Sequence, residues 1–218
     1  MTAIATGAGT ALGLVEVGGW SVAMVVLDAM DKSATLRVLQ AELNDLNGVL
    51  IKIRGRSGDL RAALDAARAT ATRMGADIIA QVIDNPAPAS APAYTGLPEF
   101  SPLLEAPVTF DPDPQYARKE TPMPADQASF AIGLIETQGF IAVIEAIDTA
   151  CKAANVEVLG REKLGGGYIS VVIKGDVAAV RAAIDAGKSR VEGLGKLIAA
   201  HVIPRPSPAV LSLLPKQS

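Results

Sequence analysis

The chain has 218 residues, half of them hydrophobic, with a formal net charge of −3 and an isoelectric point near 5.2. That balance excludes the basic footprint of a nucleic-acid binder. One cysteine excludes an intrachain disulfide, and one histidine leaves no Cys/His cluster for zinc. No basic stretch precedes an apolar run at the N-terminus, and no apolar stretch reaches membrane-spanning length, so a cytosolic soluble protein is expected.

Residues 1–10 are small and uncommitted and read as an N-terminal arm. Ala11 to Val17 is a short β-branched run, read as a strand, and a helical pattern follows from Gly19 to Ala34. Asn85 to Gln127 then holds 10 of the 14 prolines. Such a stretch cannot be a regular helix, and its prolines oppose a central strand. It reads as a linker over the surface, with Leu97, Phe100, Leu103, Leu104, Val108 and Phe110 available to dock.

Beyond the linker the first pattern returns. Ala11–Pro88 maps onto Ala131–Pro208 without a gap, at the offset that carries Gly13 to Gly133, Glu16 to Glu136, Asp28 to Asp148 and Lys32 to Lys152. About a third of the paired positions are identical. A repeat this long is two copies of one domain, not a solenoid unit. The second copy is the easier to read. Phe140, Val143, Ile144, Ile147, Cys151 and Ala154 recur at helical spacing and predict a buried stripe. Val156–Leu164 and Tyr168–Gly175 read as a hairpin around Gly165-Gly166-Gly167. Asp176 is a plausible N-cap for a second helix, whose buried side carries Val177, Val180, Ile184 and Val191. Leu197–Ile203 reads as a last strand. Ser207-Pro208 opens a short helix to about Leu214. Each copy is thus strand, helix, strand, strand, helix, strand, the order of a ferredoxin-like α/β sandwich. A domain of about 80 residues has little core of its own, so burial against a neighbour is expected.

Few residues invite chemistry. The glycine triplet is followed by a strand, whereas a phosphate cradle needs a helix N-terminus there. His201, alone in an apolar strand, reads as structural. Its counterpart Gln81 shares hydrogen bonding but not acid–base chemistry. Cys151 on the apolar stripe reads as a buried, inert thiol. Glu16 and Glu136 are two because the domain is repeated, and they read as acceptors for backbone N–H groups. Lys32 and Lys152 complement helix C-termini.

The second copy, with Lys163-Leu-Gly-Gly-Gly, Ala150-Cys-Lys-Ala-Ala-Asn-Val and Pro204-Arg-Pro, closely resembles the BMC-domain shell proteins of bacterial microcompartments. The first copy resembles them less. The resemblance implies tandem unpermuted BMC domains at 11–88 and 129–214, the latter with its short C-terminal helix, joined by a linker at 89–128. It implies a homotrimer that forms a pseudohexameric tile of a microcompartment shell in the bacterial cytoplasm, alongside other shell proteins. Small metabolites would pass a central pore lined by Asn44, Asp45, Leu46 and Asn47 from one copy and by Leu164, Gly165, Gly166 and Gly167 from the other. Lys32, Lys152, Asn85 and Arg205 would lie at the tile edge. Catalysis, metal, cofactor, nucleic acid and membrane are not implied. The pore-loop cysteines that hold an iron–sulfur cluster in some tandem members have no counterpart. The alternative reading is a cytosolic regulator of ferredoxin-like fold that binds a small effector at a subunit boundary. An enzyme would need a convergent acid–base set, which one histidine does not supply.

Overall fold

A computed structural model describes residues 11–43, 48–91, 94, 109–110 and 130–214. The first copy runs β1 (Ala11–Gly18), α1 (Trp20–Ser33), β2 (Arg37–Leu43), β3 (Gly48–Gly55), α2 (Ser57–Met74) and β4 (Ile78–Ile83). A two-residue strand, β5 (Thr109–Phe110), lies between the copies. The second copy runs β6 (Ala131–Gln138), α3 (Phe140–Ala153), β7 (Glu157–Gly165), β8 (Tyr168–Gly175), α4 (Val177–Lys188) and β9 (Lys196–Pro204), and ends in α5 (Pro208–Ser212). The sheets have the orders β4-β1-β3-β2-β5 and β7-β8-β6-β9, with every pairing antiparallel. The fold is two ferredoxin-like α/β sandwiches in tandem.

Small residues set how closely the layers approach. A Cβ on Gly13 would lie 2.7 Å from the Ile53 side chain, and one on Gly133 would lie 2.8 Å from both Ile173 and Val180. Glycine at the middle of each central strand therefore leaves room for the helix and strand side chains above it. Caps stand where the sequence places them. The Asp176 side chain accepts from Ala179 N at 2.8 Å, and Ser207 caps α5 with Pro208 at its first position. Helix α5 stops at Ser212, short of the expected Leu214.

One apolar core joins the copies. Met24, Leu27 and Met30 of α1 pack with Leu134 of β6, Ile203 of β9 and Val210 and Leu213 of α5. A second core, with Ile135, Ala146, Ile173, Val180 and Ile184, belongs to the second copy alone.

Helix α3 corrects the expected stripe. Its buried residues are Ala142, Val143, Ala146 and Ala150, while Phe140, Ile144 and Cys151 are exposed. The helix is apolar on two sides. Its alanines allow close contact with its own sheet, and its longer side chains point away from it. Cys151 is therefore not a buried thiol within the chain.

The linker docks at its described positions. Arg54 Nη2 donates to the Tyr94 hydroxyl at 3.1 Å, and the guanidinium lies 5.4 Å from the ring centroid. Strand β5 pairs with Gln40 and Ala41 and extends the first sheet at its edge. Of the other expected anchors, Leu97, Phe100, Leu103, Leu104 and Val108 lie outside the described residues. Among the described residues, no helix is long and apolar enough to cross a membrane.

Candidate functional site

The β7–β8 hairpin turns through three glycines with φ of +80°, +56° and +82° at Gly165, Gly166 and Gly167. Side chains rarely adopt this region, so the triplet is what permits the turn. The loop is tied to the start of α3. Gly139 N donates to the Gly167 carbonyl at 2.9 Å, and Gln138 Nε2 to the Gly166 carbonyl at 3.4 Å. The Leu164 side chain is buried in the joint core and roots the hairpin, leaving the glycines exposed. The counterpart loop, Asn44, Asp45, Leu46 and Asn47, lies outside the described residues.

A polar joint locks the copies together. Glu136 is fully buried, and its Oε2 accepts from Ser21 N at 2.9 Å, Ser21 Oγ at 2.8 Å and Ser170 Oγ at 3.1 Å. A carboxylate of the second copy thus caps the N-terminus of a helix of the first, where the helix dipole favours negative charge. At the other end of α1, Asp28 Oδ1 accepts from Ser207 N at 2.8 Å and Asp31 Oδ2 from Ala209 N at 3.2 Å. These bonds hold α5 of the second copy across α1 of the first. The backbone-accepting role expected of Glu136 is the one it has.

The same two surfaces recur uncovered at the ends of the chain. On α3, Phe140, Ile141 and Ile144 are 41%, 71% and 55% exposed, while their counterparts Trp20, Ser21 and Met24 are buried. On β4, Ile79 and Ile83 are exposed, whereas Ile203, the counterpart of Ile83, is buried. The surfaces that meet inside the chain are thus repeated on it with apolar residues exposed.

Charge is distributed unequally along the contact. Trp20, Met24, Glu42, Glu162 and Leu213 line a narrow cleft between the copies. Lys52, itself buried, donates to Glu42 Oε1 at 2.9 Å and to Gln40 Oε1 at 3.0 Å. Glu162 is the repeat counterpart of Glu42, but Val172 stands where Lys52 would be. Burial pushes its carboxyl up to about 7. Burial also lowers the His201 imidazole, against the opposing effect of Glu136. Its Nε2 is buried without a hydrogen-bond partner among the described residues. Among the described residues, no group of three acidic, cysteine or histidine side chains could hold a metal.

Of the four residues expected at an outer edge, the structure brings two together. Lys32 Nζ donates to Asp28 Oδ2 at 2.6 Å and to the Pro204 carbonyl at 3.3 Å, which brings it beside exposed Arg205. Arg205 has a positive φ of 51°, and its N–H donates to the Phe130 carbonyl at 3.2 Å. Lys152 pairs with Asp148 at 2.5 Å on the uncovered helix, and Asn85 is exposed just beyond β4. What sequence reasoning missed is the serine pair around Glu136. Ser21 and Ser170 share no motif and meet only when the copies pack.

Comparison with known proteins accords with this architecture. The family described as "BMC domain" matches residues 11–86 and 131–206. The bacterial microcompartment shell protein PduA of Citrobacter freundii is 49% identical over 86 residues, covering 39% of this chain and 92% of that protein. The major carboxysome shell protein of Halothiobacillus neapolitanus is 45% identical over 93 residues, covering 42% of this chain and 95% of that protein. A solved microcompartment protein from Desulfitobacterium hafniense aligns over 92% of this chain and 97% of its own, with 24% identity and a TM-score of 0.37. With two matched domains that fill most of its length, this chain belongs to the BMC-domain family.

Proposed function

We propose that this protein is a structural shell component of a bacterial microcompartment. Three chains close into a ring of six domains, a pseudohexameric tile with a central pore for small metabolites. The observation that carries the ring is the contact made once inside the chain and left as two complementary halves at its ends. A head-to-tail contact of this kind continues until rotation closes it. The small-domain argument points the same way, since Phe140, Ile141 and Ile144 are apolar surface that a second copy would bury. The shell role is supported by the relatives, which are shell proteins of microcompartments and carboxysomes. No catalytic step is assigned to the chain.

In this reading the domains span 11–88 and 129–214, and the segment 89–128 connects them. The β7–β8 turns converge on the threefold axis with the loops around Asn44, Asp45, Leu46 and Asn47, and they line the pore with glycine backbone. Leu164 contributes by anchoring the turn with its buried side chain rather than by lining the passage. Lys32 with Arg205 forms one kind of tile edge, and Lys152 with the partner's Asn85 the other. The tile's partners are further copies of itself and other shell proteins.

Electron microscopy of the purified protein tests the reading. Hexagonal sheets or tubes are expected, and discrete particles at every concentration would overturn the tile. Gly166→Leu, at a φ of +56°, should slow metabolite passage through assembled shells while leaving the ring intact.

A further inference from the structure

Inside the chain, the joint under α1 is polar. Glu136 and Ser170 are register partners on β6 and β8, and Ser21 descends on them from the helix above. The repeat preserves this geometry at the chain's ends but changes its chemistry. Glu16 and Leu50 are register partners on β1 and β3, and Ile141 stands where Ser21 does. Ser21 is buried, while Ile141 is 71% exposed and Leu50 is half-buried. Of the three donors that reach Glu136, only the backbone N–H has a counterpart at the ends. The two hydroxyls have become a pair of branched aliphatic side chains.

We propose that the two kinds of seam in the assembly are keyed with opposite chemistry at one socket. Within the chain the key is Ser21 with Ser170. Between chains it is Ile141 with the partner's Leu50, beneath a Glu16 carboxylate that caps α3 through its backbone. The inference rests on the ring reading above and adds a rule for what may join what. Seating α3 on the β6–β8 socket would set Ile141 against Glu136 and Ser170 and take the Ser21 hydroxyl donor from a buried carboxylate. Seating α1 on the β1–β3 socket would set a serine hydroxyl against Leu50. Each wrong pairing sets an aliphatic side chain against a serine hydroxyl, so the mismatch discriminates as well as the match. The partner that fits the α3 face is therefore the β1–β3 face of a second copy of this chain.

A double-mutant cycle tests this, read as trimer dissociation on dilution by mass photometry. Ile141→Ala and Leu50→Ala should each weaken the parent trimer about tenfold or more. The double alanine variant should be little worse than either alone, because the two residues spend their contact on each other. The double serine variant, Ile141→Ser with Leu50→Ser, rebuilds the intrachain key and should bind more tightly than the double alanine. Adding Glu16→Ala to it should remove that gain. Additive alanine penalties, or a double serine no better than the double alanine, would overturn the inference. A parent protein that never forms a trimer would sink the ring reading first, and the key with it. Melting curves matching the parent would show that the variants fold.

Discussion

Helices α1 and α3 are repeats of one helix, and they differ in what covers them. The outer face of α1, with Trp20, Met24 and Leu27, is buried against β6, β9 and α5 of the second copy. The outer face of α3, with Phe140, Ile141 and Ile144, is bare. Covalent linkage explains the difference, since a tandem chain can satisfy one such contact within itself and in the proposed ring leaves its mate to another molecule. The covered helix shows the uncovered one what it lacks. An apolar face on a small domain therefore means different things in the two copies: core in the first and, in the proposed ring, interface in the second.

Placing a charge on each face would break the comparison most sharply. Met24→Glu should cost about 3–5 kcal/mol of chain stability, because it buries an unpaired carboxylate in the joint core. Urea unfolding would measure it. Ile144→Glu, at the equivalent position, should leave the isolated chain's unfolding midpoint nearly unchanged and abolish the trimer. A stable chain with Met24→Glu would show that the two faces are alike after all.

Removing the buried carboxylate comes next. Glu136→Ala strands Ser21 N and two hydroxyls and should destabilise the chain by about 2–4 kcal/mol. Glu16→Ala should change chain stability far less and appear in the concentration dependence of assembly. Comparable losses in the two unfolding curves would contradict the division between internal and external seams.

At the outer edge the effects fall on sheets, not on folding. Arg205→Ala and Lys32→Ala should abolish ordered sheets, because the two residues are brought together at one place beside Pro204. An arginine can serve several acceptors at once, and each such contact is worth about 1–2 kcal/mol and recurs at every tile. Lys152→Ala should weaken sheets less, since in the proposed tile its edge partner is Asn85. Electron micrographs that rank the variants in the opposite order would reverse the edge assignment.

The smallest effect separates Glu42 from Glu162. The Glu162 carboxyl is raised from 4.5 to about 7 in the folded chain, so the folded state holds its proton more tightly than the unfolded state. Its cost is absent below pH 4.5, grows as pH rises, and is complete above pH 7. Discounted for partial exposure, it amounts to about 1–2 kcal/mol. Glu162→Gln should flatten that part of the stability–pH curve. Glu42→Gln should instead remove the charge that faces buried Lys52 and destabilise the chain.

The element order, the caps at Asp176 and Ser207 and the glycine turn were legible in the sequence because each depends on nearby residues. Periodicity also located α3, but it misassigned the helix's buried side. A helix that is apolar on two faces shows one period, and nothing local says which face meets its own sheet. The Glu136 joint was legible only in part. The carboxylate stood out because it repeats, but its serine partners lie 115 and 34 positions away and repeat as Ile141 and Leu50. The place of Lys32 beside Pro204 and Arg205 was hidden for the same reason, since it arises across the seam between copies.

The mass of the assembly in dilute buffer tests the central claim most directly. Native mass spectrometry should give a species three times the 22.4 kDa chain, with no stable particle of two or four chains. A protein that stays at the mass of one chain, with Phe140, Ile141 and Ile144 left to water, would contradict it.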